Sequence, residues 1–287
     1  MTTVKEMQDY SLRKKREGKT IGFVPTMGFL HEGHLSLVRK AREAADSVVV
    51  SIFVNPTQFA PNEDFSKYPR DEEKDKSLLE AEGVDCVFIP SALEIYPEGF
   101  QTYVEVTGIT KGLEGQSRPT HFKGVTTVVT ILFNSVMPDV AVFGQKDAQQ
   151  AAVLRRMALD LRMNIQIIVS PIVREADGLA LSSRNVYLSE KERKDALVLS
   201  RSLRYADEMI TSGERDSEKI IQEMKKKFDR VDSAHPDYIK IVDSKTFEDA
   251  VALSAGGEYF ILIACRIGKT RLIDNLLVKV SNPELSI

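Results

Sequence analysis

The chain has 287 residues, 43% of them hydrophobic and 28% charged, with a formal net charge of −3. This composition indicates a globular protein with a buried core, and the lack of a basic excess argues against DNA or RNA as the main partner. Two distant cysteines in apolar surroundings, Cys86 and Cys265, predict buried reduced thiols and not a disulfide or a zinc site. The polar N-terminal stretch has no signal-peptide core and no run of about 18 apolar residues occurs, so we expect a cytoplasmic protein that does not enter a membrane.

Short apolar runs alternate with amphipathic stretches through the first part of the chain. The apolar runs are rich in β-branched residues and predict strands, whereas apolar residues spaced by three or four predict the helices between them. Predicted strands lie at Thr20–Pro25, Ser47–Val54, Asp85–Ile89, Val140–Phe143 and Ile165–Val169. Predicted helices lie around Leu35–Ala45 and over Arg70–Glu82, Thr126–Met137 and Ala148–Asp160, and a loop is predicted over Asn55–Arg70. Because strands that alternate with helices form parallel sheets, we predict an α/β fold, a Rossmann-like parallel sheet with helices on both faces.

The pattern changes after about Asn185. Charged amphipathic stretches predict surface helices there, and three later apolar runs predict strands, which together indicate a smaller C-terminal α+β domain. We place the boundary near Arg174–Asp177, which gives domains of residues 1–175 and 176–287. The predicted elements of the second domain are Ser189–Thr211, Ser217–Arg230, Tyr238–Val242, Tyr259–Ala264 and Arg271–Leu276.

Two histidines lie three residues apart in the run Pro25–His34, between the first strand and the first helix. Ligands of parallel sheets bind beyond the carboxyl ends of the strands, and a helix start offers free N–H groups to an anion. Gly28 and Gly33 would let the backbone turn tightly and approach such a ligand, and imidazoles can donate to the same anion. Gly28 and Gly33 have the spacing of the two P-loop glycines, but His34 and Leu35 occupy the positions at which a P-loop has Lys and then Ser or Thr. We therefore predict an anion site of another kind, with ordinary surface histidines as the alternative.

The run His31–His34, H-E-G-H, resembles the H-x-G-H signature of the nucleotidyltransferase superfamily. The wider run Pro25–His34, P-T-M-G-F-L-H-E-G-H, is similar to that of one family, the pantoate–β-alanine ligases. This resemblance implies ATP-dependent condensation of pantoate with β-alanine into pantothenate through a pantoyl-adenylate, with release of AMP and pyrophosphate. It also implies catalytic roles for His31 and His34. The ATP contacts it implies in this run are Met27, Gly28, Phe29, Leu30, His31, Glu32, Gly33 and His34.

Polar residues in three further loops correspond to substrate contacts of the family. Asn55 and Gln58 follow the second strand, Arg118 precedes a buried helix, and Gln150 lies one turn into the helix after the fourth strand. Neutral amides donate and accept at once, which suits a ligand with hydroxyl and carboxylate oxygens. The resemblance implies that Gln58 contacts pantoate and β-alanine, and that Arg118 lies near pantoate and the nucleotide. A structural turn or a helix cap remains an alternative for these residues.

Two other segments match nucleotide motifs of the family. In the loop after the fourth strand, Gly144 permits close approach, Lys146 can neutralise a phosphate, and Asp147 could accept from a ribose hydroxyl or cap the next helix. Further on, two serines and an arginine could grip a polyphosphate, although a solvated interdomain turn would have the same composition. The implied ATP contacts are Gly144, Gln145, Lys146, Asp147, Val173, Leu181, Ser182, Ser183 and Arg184. Of these, the implied catalytic residues are Lys146, Ser182, Ser183 and Arg184.

The acidic start of the second predicted helix carries the one candidate metal ligand. Some relatives use two adjacent aspartates near this point for Mg²⁺, and here the pair reads Lys74 and Asp75. Only Asp75 is therefore carried over as a Mg²⁺ ligand, and such acidic runs are more often solvated helix faces. The resemblance further implies a homodimer that works on small molecules.

Three other functions fit part of this pattern. A plain adenylyl- or cytidylyltransferase would need further basic residues for a second phosphate-bearing substrate, and no surplus is evident. A tRNA-linked synthetase domain is disfavoured by the acidic composition and by the absence of a Lys-Met-Ser-Lys-Ser loop. A regulatory module would bind ATP without turnover.

Overall fold

The structure, a computed structural model, describes residues 1–60 and 65–281. The chain divides into two compact units, Met1–Ile172 and Val173–Ile287. The boundary predicted from the sequence, after residue 175, falls three residues further along. No helix in the described part of the chain is long and apolar enough to span a membrane.

A parallel sheet of five strands forms the centre of the first unit, as far as the described residues show. The strands are β1 (Ile21–Thr26), β2 (Ser47–Ile52), β3 (Cys86–Phe88), β4 (Val140–Gly144) and β5 (Gln166–Ser170). Their order is β3-β2-β1-β4-β5, and every neighbouring pair is parallel. The chain builds outward from β1 to β3 and then returns to the other side of β1 with β4. This reversal creates a topological switch point between β1 and β4, where sheets of this kind bind ligands beyond the carboxyl ends of their strands.

Helices cover both faces of this sheet. They are α1 (Val4–Arg16), α2 (Glu32–Ala44), α3 (Glu72–Ala81), α4 (Ala92–Ile95), α5 (Glu114–Ser117), α6 (His121–Val136) and α7 (Ala148–Asp160). Because successive strand residues point to opposite faces, Phe23 packs into one apolar cluster with α1, α6 and α7, whereas Val24 packs into another with α2 and α3. The predicted Rossmann-like fold is confirmed.

Local differences from the prediction have identifiable causes. Helix α1 was not predicted because its sequence is mostly charged, yet it is closed by a capping box at Thr3 and buries Met7 and Tyr10. Helix α6 begins at His121, five residues before its predicted start. The predicted loop contains short 3-10 turns, and its residues 61–64 lie outside the described residues.

The second unit is a smaller α+β domain with its own apolar core, as predicted. Its elements are α8 (Glu190–Asp195), α9 (Leu197–Thr211), α10 (Ser217–Phe228), β6 (Ala234–Asp243), β7 (Glu258–Ile267) and β8 (Thr270–Lys279). The strands form an antiparallel sheet in the order β6-β7-β8. The single helix predicted over Ser189–Thr211 is two helices, with Ala196 between them.

Gly124 provides a test of how closely α6 packs against the turn that follows β2. A Cβ atom at Gly124 would lie 2.6 Å from the carbonyl oxygen of Thr57 and 2.7 Å from the backbone nitrogen of Gln58. We expect Gly124→Ala to lower the free energy of unfolding by about 1–3 kcal/mol, because backbone must move even though alanine favours a helix. Thermal denaturation should show a lower Tm than for Gly108→Ala, where an added Cβ has no neighbour within 4 Å. Equal melting temperatures of the two variants would contradict this packing.

Candidate active site

The loop after β1 is held in an unusual backbone conformation. Gly28 and Phe29 have positive φ angles of 82° and 53°. The Thr26 hydroxyl accepts from the backbone N–H of Gly28 at 3.2 Å and donates to the Ser51 carbonyl on β2 at 2.7 Å. The β1 loop is therefore attached to the end of the neighbouring strand.

His31 and His34 cap the start of α2 with their own side chains. Nδ1 of His31 accepts from the backbone N–H of Gly33 at 3.1 Å, and Nδ1 of His34 accepts from the backbone N–H of His31 at 3.3 Å. The two rings stack with their centroids 4.1 Å apart. A nitrogen that accepts carries no proton, so each neutral ring holds its proton on Nε2. Each imidazole thus keeps one N–H donor for a ligand.

The electrostatic surroundings keep both imidazoles neutral at pH 7. Burial, and then the positive charge of Lys146, lowers the pKa of His31 to about 4. Burial lowers the pKa of His34 to about 3, with smaller contributions from His31 and Lys146. The Lys146 ammonium is therefore close enough to act on both rings, as expected from the adjacency of β1 and β4. Two neutral donors and one cation meet at the predicted position.

The backbone N–H groups of this loop differ from the expectation. We expected the start of α2 to offer free N–H groups to an anion, as a P-loop does. Instead, each of the following N–H groups has a partner within the chain: Gly28, Phe29, Leu30, His31, Gly33 and His34. The side chains of Thr26, Asp75, His31 and His34 accept from five of these groups, and the His31 carbonyl accepts from the N–H of His34. These six N–H groups are therefore already hydrogen-bonded within the chain.

The loop after β4 leaves space beside the strand end. A Cβ atom at Gly144 would have no neighbour within 4 Å. The Lys146 ammonium lies 3.9 Å from the Asp147 carboxylate, and Asp147 does not cap α7 with its side chain. The helix-cap alternative for Asp147 is therefore wrong, which leaves its carboxylate for electrostatic contact or for a ligand.

The two glutamines at the start of α7 have different environments. Gln149 is buried, and its amide bonds to the backbone of residues 109, 112 and 114. Gln150 is half-buried, and its side chain makes no hydrogen bond with the residues that the structure describes. The sequence reasoning passed over Gln149, whose structural role depends on a segment about 40 residues away. Gln150 keeps its full hydrogen-bonding capacity for a ligand.

Asn55 orients Gln58 instead of facing a ligand itself. Asn55 is 1% exposed, and its oxygen accepts from Tyr96 and Thr57. Its amide nitrogen donates to the Gly124 carbonyl at 3.2 Å and to Oε1 of Gln58 at 3.1 Å. Because the Asn55 amide nitrogen can only donate, the Gln58 atom that faces it must be the oxygen, and this fixes the orientation of the Gln58 amide. Its Nε2 then points toward the β1 loop, 3.1 Å from the sulfur of Met27.

Arg118 and His121 hold the backbone of Gln58. Nε2 of His121 lies 3.2 Å from the Arg118 guanidinium, which can only donate, so this nitrogen accepts. Nδ1 of His121 then carries the proton and donates to the Gln58 carbonyl at 3.0 Å, and Arg118 donates to the same oxygen at 3.3 Å. The structure thus brings Arg118 to Gln58. The sequence analysis assigned no role to His121.

Asp75 has partners that do not suit a metal ligand. Its carboxylate is 1% exposed and accepts from the backbone N–H groups of Phe29 and Leu30. Burial raises its pKa, and these two donors act in the opposite direction. The described residues contain no group of three or more His, Cys, Asp or Glu side chains that could hold a metal ion. The residues present therefore do not fit a protein-held Mg²⁺ at this position.

Hydrogen bonds fix the conformation of residues 173–184 in the second unit. Arg174 pairs with the buried Asp274 through two hydrogen bonds of 2.7 and 2.8 Å, and the N–H of Leu181 donates to the Val173 carbonyl. The Ser182 hydroxyl accepts from the backbone N–H of Arg184 at the start of a 3-10 turn. The sequence assigned Val173, Leu181, Ser182, Ser183 and Arg184 to ATP, and this assignment stays a prediction.

The fold and the site define a class of protein. A five-stranded parallel sheet has its hydrogen-bond donors and a lysine gathered at the switch point between β1 and β4, which is characteristic of Rossmann-like α/β proteins that take an anionic ligand. A family model of pantoate-beta-alanine ligases matches residues 1–277. The chain is 56% identical to the pantothenate synthetase of Thermotoga petrophila over 276 residues, covering 96% of this chain and 98% of that protein. It is 57% identical to that of Heliobacterium modesticaldum over 278 residues, covering 97% and 98%.

Solved structures give the same result. The crystal structure of pantothenate synthetase from Thermus thermophilus matches with a TM-score of 0.91 at 45% identity, over 98% of this chain and 99% of that chain. The pantoate-beta-alanine ligase from Francisella tularensis, solved with beta-gamma ATP and beta-alanine, matches with a TM-score of 0.78 at 36% identity, over 96% of each chain. This chain belongs to the pantoate-beta-alanine ligase family, which confirms the resemblance carried by its H-x-G-H run.

The protonation of the two imidazoles can be measured directly. We expect His31 and His34 to stay neutral, with the proton on Nε2, until the pH falls toward 4. In the unfolded chain they would take up protons near pH 6.5, so the stability of the fold should decrease as the pH falls from about 6.5 to about 3, the pKa of His34 in the folded chain. A nitrogen-15 NMR titration of the imidazoles reports both the tautomer and the midpoint. A midpoint near 6.5, or a proton on Nδ1, would contradict the capping geometry.

Proposed function

We propose that this chain joins pantoate to β-alanine in an ATP-dependent reaction that forms pantothenate and releases AMP and pyrophosphate. The observation that carries the proposal is the meeting of two neutral imidazole donors with Lys146 at the switch point of the sheet. Membership of the ligase family and the nucleotide-bound relative from Francisella tularensis support the same reaction. ATP is accordingly a substrate, and pantoate and β-alanine are the other two.

The chemistry explains why ATP is consumed. A carboxylate does not react usefully with an amine, because the oxygen that must leave is a poor leaving group. In the proposed first step a carboxylate oxygen of pantoate attacks the α-phosphorus, the bond to pyrophosphate breaks, and a pantoyl-adenylate forms. In the second step the free amine of β-alanine attacks the acyl carbon, AMP leaves and the amine loses a proton. No covalent bond to the protein is needed in either step.

The contribution of the protein is charge stabilisation and positioning. The Nε2–H groups of His31 and His34 would donate to phosphate oxygens on which negative charge grows. Lys146 would neutralise the same phosphates as a point charge. Since the imidazoles are neutral, they act in this proposal as hydrogen-bond donors, and formation of the adenylate needs no proton from them. Ser182, Ser183 and Arg184 remain the proposed contacts to the triphosphate from the second unit.

The side that takes the carboxylic acid is proposed from the amides. Gln58 presents its amide N–H₂ end because Asn55 holds the other end, so Gln58 would donate to a carboxylate or hydroxyl oxygen of pantoate. Gln150 would bind the same molecule, because its amide is not used within the chain. Asn55, Arg118 and His121 would act through the position of Gln58.

We further propose that the protein is a homodimer in the cytoplasm and acts on ATP with Mg²⁺ brought by the nucleotide.

The decisive experiment follows oxygen from the acid. Pantoate labelled with oxygen-18 in its carboxylate should pass one labelled oxygen to AMP, because the attacking oxygen stays on the α-phosphorus. AMP should appear in quantity only when ATP, pantoate and β-alanine are all present, as omission of each in turn would show. Label in orthophosphate would mean an acyl-phosphate route. ATP binding without any turnover would contradict the ligase function.

The role of His34 can be separated from its capping of α2 by two substitutions. In His34→Asn the amide oxygen can replace Nδ1 as the cap, but the Nε2–H donor is lost. We expect kcat to fall roughly 10²-fold or more, on the order of 2.7 kcal/mol, with an unchanged Tm. His34→Gln restores a donor near Nε2 and should recover part of the rate. The matched control is His235→Asn, at an exposed histidine of β6. A near-normal kcat in His34→Asn would contradict the proposed role.

A further inference from the structure

The buried carboxylate of Asp75, in the first unit, contacts the β1 loop, which joins β1 to α2 and leads into His31 and His34. The Oδ2 and Oδ1 atoms of Asp75 lie 2.7 Å from the backbone nitrogens of Phe29 and Leu30 respectively. Hydrogen bonds of this length to an ionised acceptor are among the stronger ones in proteins. Asp75 is only 1% exposed, and a buried charge persists only when its hydrogen-bonding needs are met. Here the backbone of another segment, 45 residues away, meets them.

The backbone conformation of the β1 loop at Gly28 and Phe29 allows the Asp75 carboxylate to approach closely. Phe29 has a φ of 53°, a conformation that costs of order 1–3 kcal/mol for a residue other than glycine and persists only where the surrounding structure imposes it. A Cβ atom at Gly28 would lie 2.9 Å from Oδ2 of Asp75 and 3.0 Å from Cγ2 of Ile52. The absence of a side chain at Gly28 thus lets the carboxylate approach. We had expected Gly28 to make room for a ligand, but the space beside it is filled by Asp75 and Ile52.

The same geometry disfavours the metal role that the family resemblance gave to Asp75. Mg²⁺ keeps several water molecules and needs near-octahedral access to its carboxylate ligands. Asp75 is shielded from solvent, and each of its oxygens already accepts from a backbone N–H. Its neighbour Lys74, where some relatives have an aspartate, supplies no second carboxylate.

We propose that Asp75 is a positioning residue of the active site, which holds the His31–His34 segment through the backbone N–H groups of Phe29 and Leu30, and is not a metal ligand. The proposal rests on the proposed function in so far as this segment binds ATP. By taking up two N–H donors and fixing the turn, Asp75 sets the direction in which the chain enters α2. That direction decides where the Nε2–H groups of both imidazoles lie.

The test is Asp75→Asn, which keeps the size and shape of the side chain. An amide has one accepting and one donating end, so one of the two backbone N–H groups would face another N–H and the loop would shift. We expect kcat/KM for ATP to fall roughly 10²-fold, the loss typical of misplacing a catalytic group by about 1 Å. We also expect the apparent activation constant for Mg²⁺ to stay unchanged. The matched control is Glu73→Gln, an acid-to-amide change at a side chain that is 89% exposed on the same helix.

A spectroscopic readout tests the contact without any substrate. The amide protons of Phe29 and Leu30 should be shifted downfield and protected from hydrogen exchange in the wild-type protein, although neither residue lies in a helix or a strand. In Asp75→Asn these two signals should move upfield and exchange faster. If they do so while the chain shows no ATP-dependent ligase activity, the positioning of the loop stands and the proposed function fails.

Two results would overturn the proposal. Recovery of Asp75→Asn activity at high Mg²⁺ concentration would make Asp75 a metal ligand. Rapid exchange of the Phe29 and Leu30 amides in the wild-type protein would show that the two hydrogen bonds are not made, and this measurement stands even if the variant does not fold.

Discussion

The parallel pairing of β1 with β4 is the constraint on which the site depends. Gly22 and Phe23 pair with Val140 and Ala141, so two segments more than 100 residues apart leave the sheet side by side. The histidine loop follows β1 and the lysine loop follows β4. Without this pairing, nothing in the sheet would place the two imidazoles close to Lys146. The helix that follows β1 packs closely behind it, since a Cβ atom at Gly22 would lie 3.1 Å from the carbonyl oxygen of Ala41.

The histidine pair does two tasks with the two nitrogens of each ring. Each Nδ1 closes the start of α2, and each Nε2–H remains for a ligand. Because each Nδ1 accepts from a backbone N–H, the proton of each neutral ring must be on Nε2. Burial and the nearby charge of Lys146 lower the pKa of both rings and keep them uncharged at neutral pH. In a P-loop, backbone N–H groups bind the phosphates, whereas in the function proposed for this chain side-chain donors would bind them.

Buried polar side chains around the site act mainly on its geometry. Asn55 and His121 determine the orientation and the backbone position of Gln58, Gln149 holds the segment before α6, and Asp75 holds the β1 loop. Each one satisfies its hydrogen bonds inside the protein, which makes the position of its partner more definite than packing alone would. In the proposed site, the groups that would contact a ligand are thus accompanied by buried groups that fix their positions.

The sequence by itself determined the parallel sheet, the second α+β unit and the loops that carry the site. Apolar periodicity reports which face of an element is buried, and strand ends of a parallel sheet lie at one edge, so His31, His34 and Lys146 could be assigned together. The roles of Asp75, Asn55 and His121 were decided only by the tertiary structure. Their partners lie 45, 3 and 63 residues away, and a local pattern of residue types does not reveal which donor meets which acceptor. The sequence analysis also predicted free N–H groups at the start of α2, whereas the folded side chains of His31 and His34 accept from the N–H groups of Gly33 and His31, and only the rotamers seen in the structure reveal this.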